Sequence, residues 1–261
     1  MNLIAIVTGG SSGIGACTAQ KLSEKGYMVY DLSRSGEDRG SIRHLYCDVT
    51  DTSSIVAAVD EVITREGRLD LVINCAGFGI SGAIEYTGIE EAKRQFDVNF
   101  FGTADVDRIC IPHLKKTKGR IINISSVAAL AAIPFQAYYS ACKAAVNSYS
   151  LALANELKPF GVSVCAVMPG DTSTGFTDAR NKIIEGDEEY CGRISGSVSR
   201  MEKDERGGVS ADTVAEKVCR IAGKKNIKPI YTVGLDYSLI VALLKILPFK
   251  ISNYLISKIY G

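Results

Sequence analysis

The chain has 261 residues and a mass of 28.0 kDa, and its 30 Lys+Arg against 29 Asp+Glu leave a formal charge of +1. Hydrophobic residues at 46% and charged residues at 23% exclude a disordered chain, a collagen-like fibre and a polybasic nucleic-acid binder. Eight scattered cysteines without a C-x-x-C pair, and two histidines, His44 and His113, predict neither a disulfide framework nor a metal site.

From Met1 the chain reaches a glycine-rich turn by Gly9, without the charged leader and apolar length of a signal peptide. A cytoplasmic protein with reduced thiols is therefore expected. Short apolar runs at 3–7, 28–32, 69–73, 121–124 and 162–167 alternate with longer stretches of helical periodicity. Continuously apolar strands are covered on both faces, so the order predicts an α/β architecture: a parallel, doubly wound sheet with right-handed crossovers. No linker, repeat or charge block divides 1–261, which is read as a single domain. Two segments break the rhythm. Residues 171–208 are polar and long enough for a substrate flap, and 236–260 carries a dense apolar stretch, Leu239-Ile240-Val241-Ala242-Leu243-Leu244, read as a C-terminal helix.

The first run leads into Thr8-Gly9-Gly10-Ser11-Ser12-Gly13-Ile14-Gly15 and then a helix-compatible stretch, 16–25. Glycines at 9, 13 and 15 permit a tight strand-to-helix turn and let backbone N–H groups approach a pyrophosphate, whose charge a helix N-terminus favours. Later come Asn74-Cys75-Ala76-Gly77 and Tyr139-Ser140-Ala141-Cys142-Lys143. The G-x-x-x-G-x-G spacing, combined with these two motifs, resembles the classical short-chain dehydrogenase/reductase family over nearly the whole chain. The resemblance implies a Rossmann-type sheet and a nicotinamide cofactor. It also implies a catalytic set of Asn, Ser, Tyr and Lys, and a homodimer or homotetramer built on the helices containing Asn99 and Tyr139.

Tyr139 and Lys143 lie four apart in a predicted helix, 136–157, and so share one face. Tyr138 would sit about 100° around that helix. Ser126, thirteen residues before Tyr139, stands at the family's serine spacing, with Ser125 as its rival on the opposite side of the strand. Asn99, in Asp97-Val98-Asn99-Phe100-Phe101-Gly102, matches the family's helix-embedded asparagine. A free phenol has a pKa of about 10, so a nearby cation is needed to make its phenolate accessible, and Lys143 supplies one. The expected reaction is hydride transfer to a carbonyl carbon, with Tyr139 protonating the oxygen and Ser126 bonding to it. Lys143 is also expected to hold the cofactor ribose, and Asn99 to position a relay water.

For the cofactor, Asp31 fits the loose rule that an acid after the second strand binds a ribose, whereas Arg34 matches the family's phosphate-binding arginine. NADP(H) is the preferred reading, with NAD(H) as the other. Further cofactor contacts are expected from Gly9, Ser11, Ser12, Gly13, Ile14, Gly15, Asp48, Val49, Asn74, Ala76, Gly77, Tyr139, Lys143, Pro169 and Gly170, with Thr172 and Thr174 as rivals for the carboxamide. Phe78, Ile80, Ile133, Phe135, Phe176 and Tyr190 are the candidates for a substrate pocket. Their apolar character favours a hydrophobic ketone or secondary alcohol of steroid, retinoid or lipid type. Three alternatives compete: a 3-ketoacyl-carrier-protein-type reductase, a non-enzymatic NADPH-sensing regulator, and a sugar-nucleotide epimerase. The apolar tail is about half the length needed to span a bilayer. Packing over the substrate mouth or a second subunit is its first reading, and peripheral membrane contact its second.

Overall fold

The computed structural model describes residues 2–261. Seven parallel strands form its main sheet: β1 (Ile4–Thr8), β2 (Met28–Ser33), β3 (Ile42–Tyr46), β4 (Leu71–Asn74), β6 (Arg120–Ile124), β7 (Ser163–Pro169) and β11 (Ile230–Val233). A two-residue strand, β5 (Ile80–Ser81), lies outside that sheet. The spatial order is β3-β2-β1-β4-β6-β7-β11. Strand order reverses between β1 and β4, so the chain leaves their C-terminal ends in opposite directions and a crevice opens there. Thr8 is paired with Leu32 on one side and Asn74 on the other, at the floor of that crevice.

Alternation along the strands builds two cores. Ile4 and Ile6 face a layer containing Ile55, Val59 and Val62 of α2 (Thr52–Glu66), Val106 and Leu114 of α4 (Thr103–Thr117), and Leu153 and Leu157 of α5 (Ala137–Leu157). Ala5 and Val7 face Ala19 and Leu22 of α1 (Gly13–Glu24) and Val214 and Val218 of α7 (Ala211–Ala222). The central strands therefore bury both rows of side chains, at roughly 1.5–3 kcal/mol per large aliphatic group. This is the Rossmann-like α/β fold expected from the pattern.

Three local features position the site. Helix α3 (Ile89–Phe96) runs into α4 through a π-helical turn, Asp97–Gly102, which holds Asn99. The polar segment 171–208 carries β8 (Thr172–Ser173), β9 (Asn181–Lys182) and α6 (Arg193–Arg206). Strand β8 pairs with β10 (Val209–Ser210), and β9 with β5. The tail differs from the single helix expected over 236–260. It forms α8 (Leu235–Ile246) and α9 (Phe249–Tyr260), broken where Leu247 turns extended before Pro248. Proline lacks an N–H and disfavours helical geometry in the residue before it, which ends α8 there. No described helix is long and apolar enough to cross a membrane.

Candidate active site

The turn from β1 into α1 is built to receive an anion. Gly9 has φ +63°, and a Cβ there would lie 3.0 Å from the Ala76 backbone. A Cβ on Gly15 would lie 2.1 Å from the Gly9 carbonyl oxygen, so only glycine lets the two turns close. The first turn of α1 carries no acidic side chain, and Ser12 at its N-cap makes no side-chain cap. The helix N–H groups and their partial positive charge are thus left for a ligand, which fits a dinucleotide pyrophosphate. The Thr8 hydroxyl accepts from the N–H groups of Cys75 and Ala76, drawing the chain after β4 across the mouth of this turn.

A cavity of about 490 Å³ runs from the turn along the C-terminal ends of β6 and β7. Gly9, Ser12, Gly13, Ile14, Gly15, Ala76, Gly77, Ser126, Tyr139, Lys143, Pro169, Gly170, Thr172 and Thr174 all line it. Ser126 caps the short turn after β6, its oxygen accepting from the Ala128 N–H, and it lines the cavity together with Tyr139, whose pKa its hydroxyl pulls down. Ser125 points elsewhere: its hydroxyl donates to the Lys143 carbonyl. The Lys143 ammonium donates to the Ile124 carbonyl at 2.8 Å and stands 5.7 Å from the Tyr139 ring centroid. Asn99 is buried, and its side chain clamps the Phe78 backbone, accepting from the Phe78 N–H and donating to its carbonyl. A Cβ on Gly77 would meet both Asn99 Oδ1 at 3.1 Å and Lys143 Nζ at 3.8 Å, so glycine keeps these groups close. Of the rival threonines, Thr172 donates its proton to the Gly170 carbonyl, while Thr174 accepts from the Phe176 N–H and keeps its own proton to give.

The cavity wall divides the expected substrate residues. Phe78, Ile133 and Phe176 line it, and the Phe176 ring packs 5.6 Å from that of Tyr139. Ile80, Phe135 and Tyr190 do not. Ile80 is buried in the β5–β9 pair, and Phe135 packs edge-on against Tyr190 in a separate cluster with Ala83 and Ile194. Their place is taken by Met201 of α6 and by the apolar tail, Ile240, Leu244, Leu247, Leu255 and Ile256 of α8, α9 and their junction, in line with the expectation that the tail packs over the substrate mouth.

At the far end of the crevice the cofactor candidates also separate. Asn74 donates to Asp107 and Asn123 in a buried network instead of facing the cavity. Val49 is buried against Gly102. Asp48 accepts from the N–H and hydroxyl of Thr50, bonds that hold its pKa below the usual carboxylate value, and Arg34 adds to this as a nearby cation. Asp31 is fully buried, its carboxylate close under Gly10 and 3.6 Å from His44. Burial raises its pKa. Ser11 opens onto a smaller cavity shared with Gly36, Glu37 and Arg39, and Arg39 donates to the Gly10 carbonyl at 3.1 Å. Arg39 was missed because nothing in its spacing marks it: a hairpin-like return at Arg39–Ile42 swings it back over the turn.

A family model described as short chain dehydrogenase matches residues 3–184. The chain belongs to the short-chain dehydrogenase family. Like its relatives it is an NAD(P)-dependent oxidoreductase. A 3-ketodihydrosphingosine reductase from Bacteroides thetaiotaomicron is 44% identical over 227 residues, covering 85% of this chain and 84% of that protein. A short-chain dehydrogenase from Streptomyces avermitilis superimposes with a TM-score of 0.84 at 26% identity, covering 94% of this chain and 93% of that one. ElxO with NADP bound superimposes with a TM-score of 0.77 at 25% identity, covering 92% and 100%.

Electrostatics at the short-chain dehydrogenase centre depart from the sequence expectation in one respect. Burial is the largest influence on Tyr139 and drives its pKa well above the ordinary phenol value; Cys142 and Glu205 act in the same direction, Ser126 and Arg180 against it. Burial likewise lowers the Lys143 pKa. In the protein alone the phenol therefore keeps its proton at neutral pH.

Proposed function

We propose that the protein uses NADP(H) to reduce a long-chain, apolar ketone to a secondary alcohol. Bound NADPH supplies the hydride. Tyr139 donates its proton to the carbonyl oxygen, Ser126 orients that oxygen, and Lys143 holds the cofactor ribose and restores charge balance at the phenol. Asn99 fixes the Phe78 backbone next to Gly77, and the Ile124 carbonyl holds the Lys143 ammonium. The observation that carries this reading is the continuity of one cavity from Ser126 and Tyr139 to an aliphatic chamber lined by Leu244, Leu247, Leu255 and Ile256. Such a chamber suits an alkyl chain and gives charged groups no partners. The similarity to a reductase named for a long-chain sphingoid ketone supports it. Arg39, beside the small cavity at Ser11, the match of Arg34 to the family's phosphate-binding arginine, and the burial of Asp31 support NADP(H). Exposed Phe101 and Leu151, beside the Asn99 turn and on α5, support a homo-oligomer through those elements. All eight cysteines are free, in keeping with a reducing cytoplasm.

The test follows NADPH absorbance with 3-ketodihydrosphingosine, other long-chain ketones, retinal, a ketosteroid, a 3-ketoacyl thioester and small polar carbonyls. Turnover of a long-chain ketone is expected, and Tyr139→Phe should lower kcat about 100-fold or more while NADPH binding stays within about threefold. Turnover confined to the small polar carbonyls, or full activity in Tyr139→Phe, would overturn the proposal.

A further inference from the structure

The two C-terminal helices carry more apolar surface than the cavity uses. Leu235, Leu239 and Ile246 on α8 and Phe249 at the start of α9 are 87%, 71%, 81% and 93% exposed. Leu235, Leu239, Leu243 and Ile246 recur at spacings of four, four and three, one stripe of α8. On α9, Ile251, Leu255 and Ile259 recur every fourth residue and are 46%, 44% and 50% exposed. Isolated exposed leucines are ordinary, but a continuous stripe across two consecutive helices marks an interaction surface.

Four apolar side chains of these two helices belong to two surfaces at once. Ile240, Leu243, Leu255 and Ile259 line the cavity that reaches Tyr139, yet stay 43%, 51%, 44% and 50% exposed. They form its rim. The mouth of the cavity thus opens within the exposed apolar stripe. The charges of residues 235–261 are Lys245, Lys250 and Lys258 against Asp236, and the three lysines are exposed. Lys258 lies over the Tyr254 ring at 5.6 Å, an aromatic and cation pairing suited to the level of lipid headgroups. Apolar edges flanked by lysine are the composition of a helix lying in an anionic membrane interface, and neither helix is long enough to span one. A second copy of the chain would match the apolar stripe but gain nothing from the excess of lysine.

We propose that the α8–α9 hairpin docks the protein on an anionic lipid surface, and that its rim passes the aliphatic part of the substrate from the bilayer into the cavity. The second half rests on the lipid-ketone reading; the docking does not.

The experiment is co-sedimentation of the full chain with phosphatidylcholine vesicles, with and without phosphatidylglycerol, for three proteins. These are the wild type, a Leu239→Glu/Ile246→Glu/Phe249→Glu variant, whose positions lie off the cavity wall, and a Lys245→Gln/Lys250→Gln/Lys258→Gln variant. Wild type should pellet with the phosphatidylglycerol vesicles, the glutamate variant about tenfold less, and the glutamine variant should lose the preference for anionic lipid. Both variants should keep wild-type reduction of a short, water-soluble ketone, while the glutamate variant loses turnover of a long-chain ketone presented in vesicles. Wild-type protein that ignores both vesicle types overturns the docking, as does light scattering that shows a dimer dissolved by the glutamate substitutions. Vesicle binding without turnover of any ketone leaves the docking standing and removes the lipid-ketone reading.

Discussion

Tyr139 and Lys143 were legible because four residues along α5 return to one face; Ser126 was chosen over Ser125 by the spacing the family resemblance implies, and strand geometry added only that the two adjacent hydroxyls diverge at the end of β6. That is why Ser125 donates to the Lys143 carbonyl while Ser126 acts on the phenol. Arg39 had no such signal, since loop geometry alone brings it to Gly10. Aromatic residues were equally illegible: Phe135 and Phe176 look alike in sequence, yet one packs with Tyr190 and the other with Tyr139. Arg39 yields a prediction at this scale. If its guanidinium meets the extra phosphate of NADPH, Arg39→Ala should raise the KM for NADPH about tenfold, the cost of one charge-assisted bond near the surface, and leave that for NADH unchanged. Equal effects on both cofactors would assign Arg39 to the turn's shape instead.

Among the elements, the central strands announced themselves as apolar runs because both faces are covered, whereas β3 did not. It lies at the sheet edge and carries Arg43 and His44 between its apolar residues. Strand β11 is short and follows Pro229, which hides it in a polar stretch. The tail read as one helix because its dense apolar stretch ran on into further apolar residues; Pro248 set the break that turns α9 back onto α6. Two phenols secure that return. Tyr237 of α8 donates to Asp171 after β7, and Tyr260 of α9 to Asp204 of α6. Asp171 is half-buried, which raises its pKa, and the Tyr237 bond opposes that rise. Tyr237→Phe keeps the ring that fills the space beside Gly170 but removes the donor. It should cost roughly 1 kcal/mol, the net worth of one hydrogen bond to a half-buried acceptor. Urea unfolding at neutral pH would measure it, and an unchanged midpoint would show that the phenol bond does not secure the helix.

Over the whole molecule, one buried polar group that ties several elements together is Asp107. It sits fully buried on α4 and accepts from Asn74 of β4 and Asn123 of β6, with Tyr149 of α5 beside it, so one carboxyl joins the sheet to two helices. Burial is the largest influence on it and pushes its pKa up to about 7 from 3.8, against the opposing bonds from Asn123 and Asn74. A raised carboxyl pKa has a definite sign. Between pH 4 and 7 the folded protein keeps this proton while the unfolded chain has released it, so the group's contribution to stability falls as pH rises and levels off above 7. At about 1.4 kcal/mol per unit, the loss between pH 5 and pH 8 is on the order of 3 kcal/mol. Exposed carboxylates with lowered pKa, such as Asp38 and Asp51, act in the opposite sense, so the total curve mixes both. The Asp107→Asn variant isolates the term: it has no proton to lose and retains one acceptor and one donor for the network. Its unfolding free energy minus that of the wild type should therefore grow by about 3 kcal/mol from pH 5 to pH 8 in parallel urea titrations. A difference constant across that range would mean that Asp107 is ionised in the fold from low pH, its charge held by the two asparagines and Tyr149.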